Sequence, residues 1–235
     1  MSGYKVGAST IGLSHIKKYE VNQDFFLIDE TSTGIVFVVA DGHGSHKFAD
    51  VGSKAVCQSV ADAIRKLERE NRENLDLNIL LLEIKRIWEY KILPKNKEEC
   101  GTTCLFAFLN DTFLYVAQLG DGEIYTEING DFSLFKEKDD EFTNFTNGMS
   151  RVESASEWFF KIYDIRNKEI RLALMTDGIS ETLIDGVERK FFEAMHKESE
   201  RLFTNTARAK KIEKIIENWD KNHSGDDRTI ILYKG

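Results

Sequence analysis

Proline is all but missing from this chain, with one in 235 residues, and the 16 glycines follow no period. That composition excludes collagen-like and low-complexity disordered classes. Cysteine is scarce and odd in number, at three. A disulfide framework is therefore not expected, and a reducing cytoplasm is. No apolar run approaches the roughly 18 residues that span a bilayer. The opening Met1-Ser2-Gly3-Tyr4-Lys5 lacks the apolar stretch of a signal peptide. Positive charge is in deficit: Lys and Arg total 32 against 40 Asp and Glu, a net charge of -8. Such a surface repels phosphate backbones and anionic lipid, so neither nucleic acid nor membrane is expected as a partner. What remains is 41% hydrophobic and 31% charged, a globular balance able to bury a core. No linker and no internal repeat interrupts it, so residues 1–235 are expected to form one domain.

Short strand signals alternate with turn composition. Phe25 to Ile28, a turn at Thr31 to Gly34, and Ile35 to Ala40 read as a hairpin whose second strand is buried on both faces. Thr102 to Leu109 and Thr112 to Leu119 read as a second hairpin. Glu123 to Ile128 and Asp131 to Phe135, joined by Asn129-Gly130, read as a third with a tight primed turn. Ile170 to Thr176 and Arg228 to Tyr233 are further strands. Three apolar stripes have helical spacing: Val51 to Leu67, Leu77 to Trp88, and Ala209 to Trp219. The polar stretch from Arg65 to Asn78 reads as a solvated helix end and a turn. Hairpins with two consecutive helices inserted predict an α+β fold with antiparallel sheets.

The aspartates fall at the ends of these strands. Asp24 enters the first, and Asp41, Asp121 and Asp177 each follow an apolar run and precede a glycine. Asp226 and Asp227 precede the last strand. One Asp-Gly pair is an ordinary turn. Acidic side chains gathered from several central strands would repel one another in a low-dielectric cleft, and divalent cations relieve that. An all-oxygen set selects Mg²⁺ or Mn²⁺ over zinc. Cys57, Cys100 and Cys104 have no metal spacing and read as core filling.

In order along the chain stand Asn22-Gln23-Asp24, Val39-Ala40-Asp41-Gly42-His43-Gly44-Ser45, Gly101-Thr102-Thr103, Leu119-Gly120-Asp121-Gly122, Met175-Thr176-Asp177-Gly178 and Asp226-Asp227-Arg228-Thr229. This series resembles the PP2C family of metal-dependent protein serine/threonine phosphatases, from about Gly7 to about Tyr233, and its compact atypical bacterial branch in particular. The resemblance implies a four-layer α-β-β-α sandwich of two antiparallel sheets. It implies a binuclear Mn²⁺ or Mg²⁺ site in which Asp41 bridges the ions and the Gly42 carbonyl binds one of them, with Asp24 nearby. Asp177 and Asp226 hold the other ion, and Asp121, with Asp177 and Glu181, matches a third position. It implies phosphoserine and phosphothreonine hydrolysis by a water shared between the ions. His43 is the residue to protonate the leaving alkoxide, or else to support the metal shell or its loop. His15 is open between orienting Asp24, contacting phosphate and a structural hydrogen bond. His46 and His223 read as surface residues.

Four features depart from the family pattern, the first being Gln23, which stands where many relatives carry Glu and supplies no charge there. Tyr19 stands where an Arg that grips the substrate phosphate is common, and Lys17 and Lys18 are the nearby cations to replace it. Asp227 stands where Asn is common. The stretch from Asp139 to Glu157, at the place of the flap over the site, is short. The expected partners are phosphorylated proteins and an opposing Ser/Thr kinase, in a signalling role. Two other readings are a catalytically weak or inactive module that binds and regulates, and a hydrolase of small phosphorylated metabolites.

Overall fold

Alternation along one strand sets out the architecture. Val36, Val38 and Ala40 pack into one apolar cluster, and Phe37 and Val39 into another. A strand with successive side chains on opposite faces, both apolar, must lie between two layers. The computed structural model describes residues 3–70, 75–135, 148–219 and 224–235. Its elements run β1 (Tyr4–Thr10), α1 (Leu13–Lys18), β2 (Phe25–Glu30), β3 (Gly34–Ala40), α2 (Ala49–Arg69), α3 (Leu77–Lys91), β4 (Cys104–Asn110), β5 (Phe113–Leu119), β6 (Glu123–Ile128) and β7 (Asp131–Phe135). They continue with β8 (Phe159–Asp164), β9 (Ile170–Met175), α4 (Asp177–Ser180), α5 (Glu188–Glu200), α6 (Asn205–Glu217) and β10 (Arg228–Lys234).

Two five-stranded sheets form, ordered β1-β10-β9-β6-β7 and β2-β3-β4-β5-β8, and every pairing is antiparallel. Phe37, Val39, Leu105, Val116, Leu174 and Ile231 meet between the sheets. Val56, Ile64, Leu80, Ile84 and Trp88 of α2 and α3 cover the outer face of the second sheet. Phe192 of α5 and Ile212 and Ile216 of α6 cover the first. Each such side chain contributes about 1.5–3 kcal/mol relative to exposure. The result is the expected α-β-β-α sandwich. The three hairpins form as read, and Asn129 and Gly130 both take positive φ, at 51° and 87°.

Five elements went unread: β1, α1, β8, α5 and the single turn α4. Three boundaries moved. Thr102 and Thr103 precede β4 and Thr112 precedes β5, while Thr176 leaves β9 to cap α4. Within the polar stretch, α2 ends at Arg69, and Asp76 caps α3 by accepting the Asn78 N–H at 2.9 Å. Residues 71–74 of that turn, residues 139–147 of the flap stretch and His223 lie outside the described residues. No helix among the described residues is long and apolar enough to cross a membrane.

Candidate metal centre

Register brings the aspartates to one edge of the sandwich. Phe25 pairs with Ala40, Cys104 with Leu119, and Met175 with both Glu123 and Ile230. The start of β2, the end of β3, the β5–β6 link, the end of β9 and the start of β10 therefore share an edge. Carboxylate oxygens of Asp41, Asp121 and Asp177 lie within 4.8 Å of one another. Ligating atoms of Asp226, Asp227 and His15 form a second group within the same distance. Asp24 is buried beside Asp41.

The backbone around Asp41 is held by the threonine pair. Thr102 Oγ1 donates to the Asp41 carbonyl at 2.7 Å, the Thr103 N–H donates to it at 2.8 Å, and the Asp41 N–H donates to Thr103 Oγ1 at 2.9 Å. The Gly42 N–H reaches the Gln23 carbonyl at 3.2 Å. Of the three Asp-Gly pairs at strand ends only Asp121-Gly122 is a positive-φ turn, with Gly122 at 93°. Gly42 and Gly178 answer to space instead. A Cβ on Gly42 would stand 2.7 Å from the Ala49 backbone, and one on Gly178 would stand 1.9 Å from the Asp227 carbonyl oxygen.

Burial and mutual repulsion govern the charges. Burial pushes the Asp24 carboxyl up to about 8, and the charge of Asp227 adds to this. Asp177 is pushed up to about 9 by burial and then by Asp41, Asp121 and Asp226. Asp41 is raised well above the carboxylate range by burial, then by Asp24, Asp226 and Asp121. Glu181 is raised by burial and by Asp121 and Asp226, which places it at the same cluster. Asp24 Oδ1 and Asp177 Oδ1 are buried without a hydrogen-bond donor among the described residues. Carboxylate oxygens that face each other and lack donors are what hard divalent cations require, so these residues fit such ions.

His43 lies in the loop after Asp41. Its N–H donates to the Gly101 carbonyl at 3.0 Å, and its Nε2 is buried without a partner among the described residues. Burial lowers its pKa against the pull of Asp121, and His46 and Arg151 lower it further. His46 is not a surface residue: it is half-buried, and its Nδ1 accepts the Gly101 N–H at 3.2 Å. His15 is buried with Nδ1 2.9 Å from Asp227 Oδ2, and its hydrogen bond is to that residue rather than to Asp24. Lys17 and Lys18 are exposed on α1 and have no partner among the described residues. Tyr19 caps that helix in the left-handed region, φ 59°, and is 97% exposed. The sequence reading missed the threonine clamp on Asp41 and the contacts of Asp227, although the adjacency of Gly101-Thr102-Thr103 to an apolar strand was visible.

Residues 11–217 match the family model described as Protein phosphatase 2C. The chain belongs to the protein phosphatase 2C family. Among solved structures, it resembles a bacterial serine phosphatase at 19% identity, covering 99% of this chain and 98% of that one with a TM-score of 0.68. The serine/threonine phosphatase Stp1 from Staphylococcus aureus matches at 21% identity over 99% and 95% of the two chains, with a TM-score of 0.67. The catalytic domain of the phosphatase PstP, solved in complex with two manganese ions, matches at 17% identity over 98% and 97%, with a TM-score of 0.64. No curated protein matches this sequence. Membership in the protein phosphatase 2C family places the chain among the hydrolases.

Proposed function

We propose that this protein is a metal-dependent phosphatase that hydrolyses phosphoserine and phosphothreonine in proteins. The observation that carries the reading is the convergence of Asp24, Asp41, Asp121, Asp177 and Asp226 on one edge of the sandwich, with the carboxyls of Asp24, Asp41 and Asp177 raised by burial and mutual repulsion and the buried Oδ1 atoms of Asp24 and Asp177 lacking donors among the described residues. Asp41, the Gly42 carbonyl, Asp177 and Asp226 would hold two Mn²⁺ or Mg²⁺ ions, with Asp24 beside them. Asp121, Asp177 and Glu181 would hold a third. When bound, the ions supply Lewis acidity and a water acidic enough to react near neutral pH.

The chain's own residues do the remaining work. Thr102 and Thr103 fix the Asp41 backbone, and with it the direction of the carboxylate. His43 holds a proton at Nε2 for the departing serine or threonine oxygen, since that atom has no competing partner among the described residues. Lys17 and Lys18 meet the substrate phosphate as point charges where a forked guanidinium is common in the family. His15 keeps their segment against the β10 entry. The physiological partners are phosphoproteins and the kinase that modifies them, and the compartment is the cytoplasm.

The test is turnover of para-nitrophenyl phosphate and of a phosphothreonine peptide with Mn²⁺, before and after chelation. Both activities are expected, lost on chelation and restored by Mn²⁺. Full activity after exhaustive chelation would sink the reading. Turnover of small phosphomonoesters alone would restrict it to metabolites.

A further inference from the structure

Asp227 is wholly buried, and it binds three groups at once. Its Oδ1 accepts the Gly12 N–H at 2.6 Å. Its Oδ2 accepts the Gln23 N–H at 2.6 Å and faces His15 Nδ1 at 2.9 Å. All three partners belong to the segment that carries α1 from β1 to β2. The Ser14 N–H adds a backbone bond to the Gly225 carbonyl at 2.9 Å. Lys17, Lys18 and Tyr19 lie between these anchors, and Asp24 follows directly.

We infer that Asp227 is a positioning residue: a carboxylate clasp that fixes residues 12–23 against the loop bearing Asp226, and so sets both the Asp24 carboxylate and the lysines that face substrate. The inference rests on the proposed phosphatase reading for its kinetic arm only.

The residue type follows from hydrogen-bond chemistry. The Gly12 and Gln23 donors are backbone N–H groups on opposite oxygens, and neither can become an acceptor. A carboxylate accepts on both sides. An asparagine accepts on one side only, so its NH₂ would face a fixed N–H in either flip. A buried donor left without an acceptor bears its full desolvation cost. His15 completes the set from a third direction, and its contact is available to a carboxylate or to a single amide oxygen. The backbone N–H of Asp227 donates to Asp226 Oδ1 at 2.8 Å, and a side-chain substitution leaves that bond in place. The hydrogen bonds that Asp227→Asn disturbs are therefore those to residues 12–23, while the lost charge also acts directly on the Asp24 carboxyl, which the Asp227 anion raises.

The experiment is hydrogen exchange, followed by mass spectrometry, on Mn²⁺-loaded wild type and Asp227→Asn. Amides of residues 12–23 are expected to exchange about tenfold faster in the variant, while those of 228–234 keep their rate. KM for a phosphothreonine peptide is expected to rise by a larger factor than kcat falls. Unchanged exchange in 12–23, or equal acceleration across the whole chain, overturns the inference, because the second pattern reports stability alone. If Asp227→Asn does not fold, His15→Gln and His15→Leu replace it. The amide of Gln can still donate to Asp227 and is expected to keep exchange slow, whereas Leu loses it; identical behaviour of the two overturns the inference. Wild-type turnover of para-nitrophenyl phosphate decides the phosphatase reading separately, and the exchange result holds or fails without it.

Discussion

Thr176 Oγ1 donates to Asp24 Oδ2 at 2.8 Å and accepts the Thr229 N–H at 3.0 Å. One hydroxyl thereby ties β9 to β10 and reaches across to the segment entering β2, which belongs to the other sheet. Thr176→Val keeps the shape and removes the bond, leaving a buried N–H and a buried carboxyl oxygen without partners. The expected loss is about 1–3 kcal/mol of stability, with weaker Mn²⁺ binding, and Thr176→Ser should recover most of both. Denaturant melts and calorimetric titration with Mn²⁺ check this.

Asp41→Asn preserves volume and removes a charge from the centre of the carboxylate group. With Mn²⁺ present, kcat should fall by at least about a hundredfold, since the lost interaction acts in the transition state. Without metal, the melting temperature near neutral pH should rise, because the folded chain no longer has to hold the buried Asp41 carboxyl in its protonated form beside Asp24, Asp226 and Asp121. Opposite signs for the two measurements set a functional cost apart from a folding defect.

The pH dependence of the metal-free protein should show two limbs. Asp24 near 8 and Asp177 near 9 stand above their ordinary 3.8, so the folded chain keeps protons that the unfolded chain has released. Their contribution is complete below about pH 4 and is lost as pH rises through 8 and 9. His196 behaves in the opposite sense: burial lowers it from 6.5 to about 3, and Tyr4 Oη lies 2.6 Å from its Nδ1. Its contribution is present above about pH 6.5 and is lost as pH falls toward 3. Between about pH 4 and 6.5 the two carboxyls lose stability faster than His196 gains it, so thermal melts in chelator should peak near about pH 4 and decline from there toward pH 9. Mn²⁺ should flatten the alkaline limb and leave the acid limb alone, and His196→Leu should reduce only the acid limb.

Tyr19 occupies a left-handed cap where glycine carries no Cβ penalty. Tyr19→Gly is expected to stabilise the protein by about 0.5–1 kcal/mol, since the 97% exposed ring packs on nothing that would be lost. Urea unfolding measures the change, and a destabilised variant would contradict it.

The strands that could be read from sequence are those with apolar residues on both faces, such as Ile35 to Ala40, because burial between two layers leaves an unbroken run. β1 escaped because it buries only Tyr4, Val6 and Ala8, with Lys5, Gly7 and Ser9 between them. β8 escaped because it is a sheet edge: Phe159, Phe160 and Ile162 are partly exposed, so its pattern has no buried face to report. α5 escaped because His196 and Ser199 complete its buried face beside Phe191, Phe192 and Met195. At the site, the aspartates were visible as strand-end punctuation. The weight of Asp227 was not, because a change from the family's common Asn is small on paper. Only the positions of Gly12, Gln23 and His15, far apart in sequence from Asp227, show that both of its oxygens are engaged.

The place of β10 has a consequence for biosynthesis. It lies between β1 and β9 and follows every other strand in the chain. The sheet of β2 to β5 and β8 can close on the ribosome while Tyr4–Thr10 still waits for a partner more than two hundred residues downstream. Asp226 and Asp227 arrive with that same strand. A nascent chain that has not yet released it holds Asp24, Asp41, Asp121 and Asp177 without the residue that completes their edge, so on the proposed reading it should turn over no substrate until the sandwich shuts.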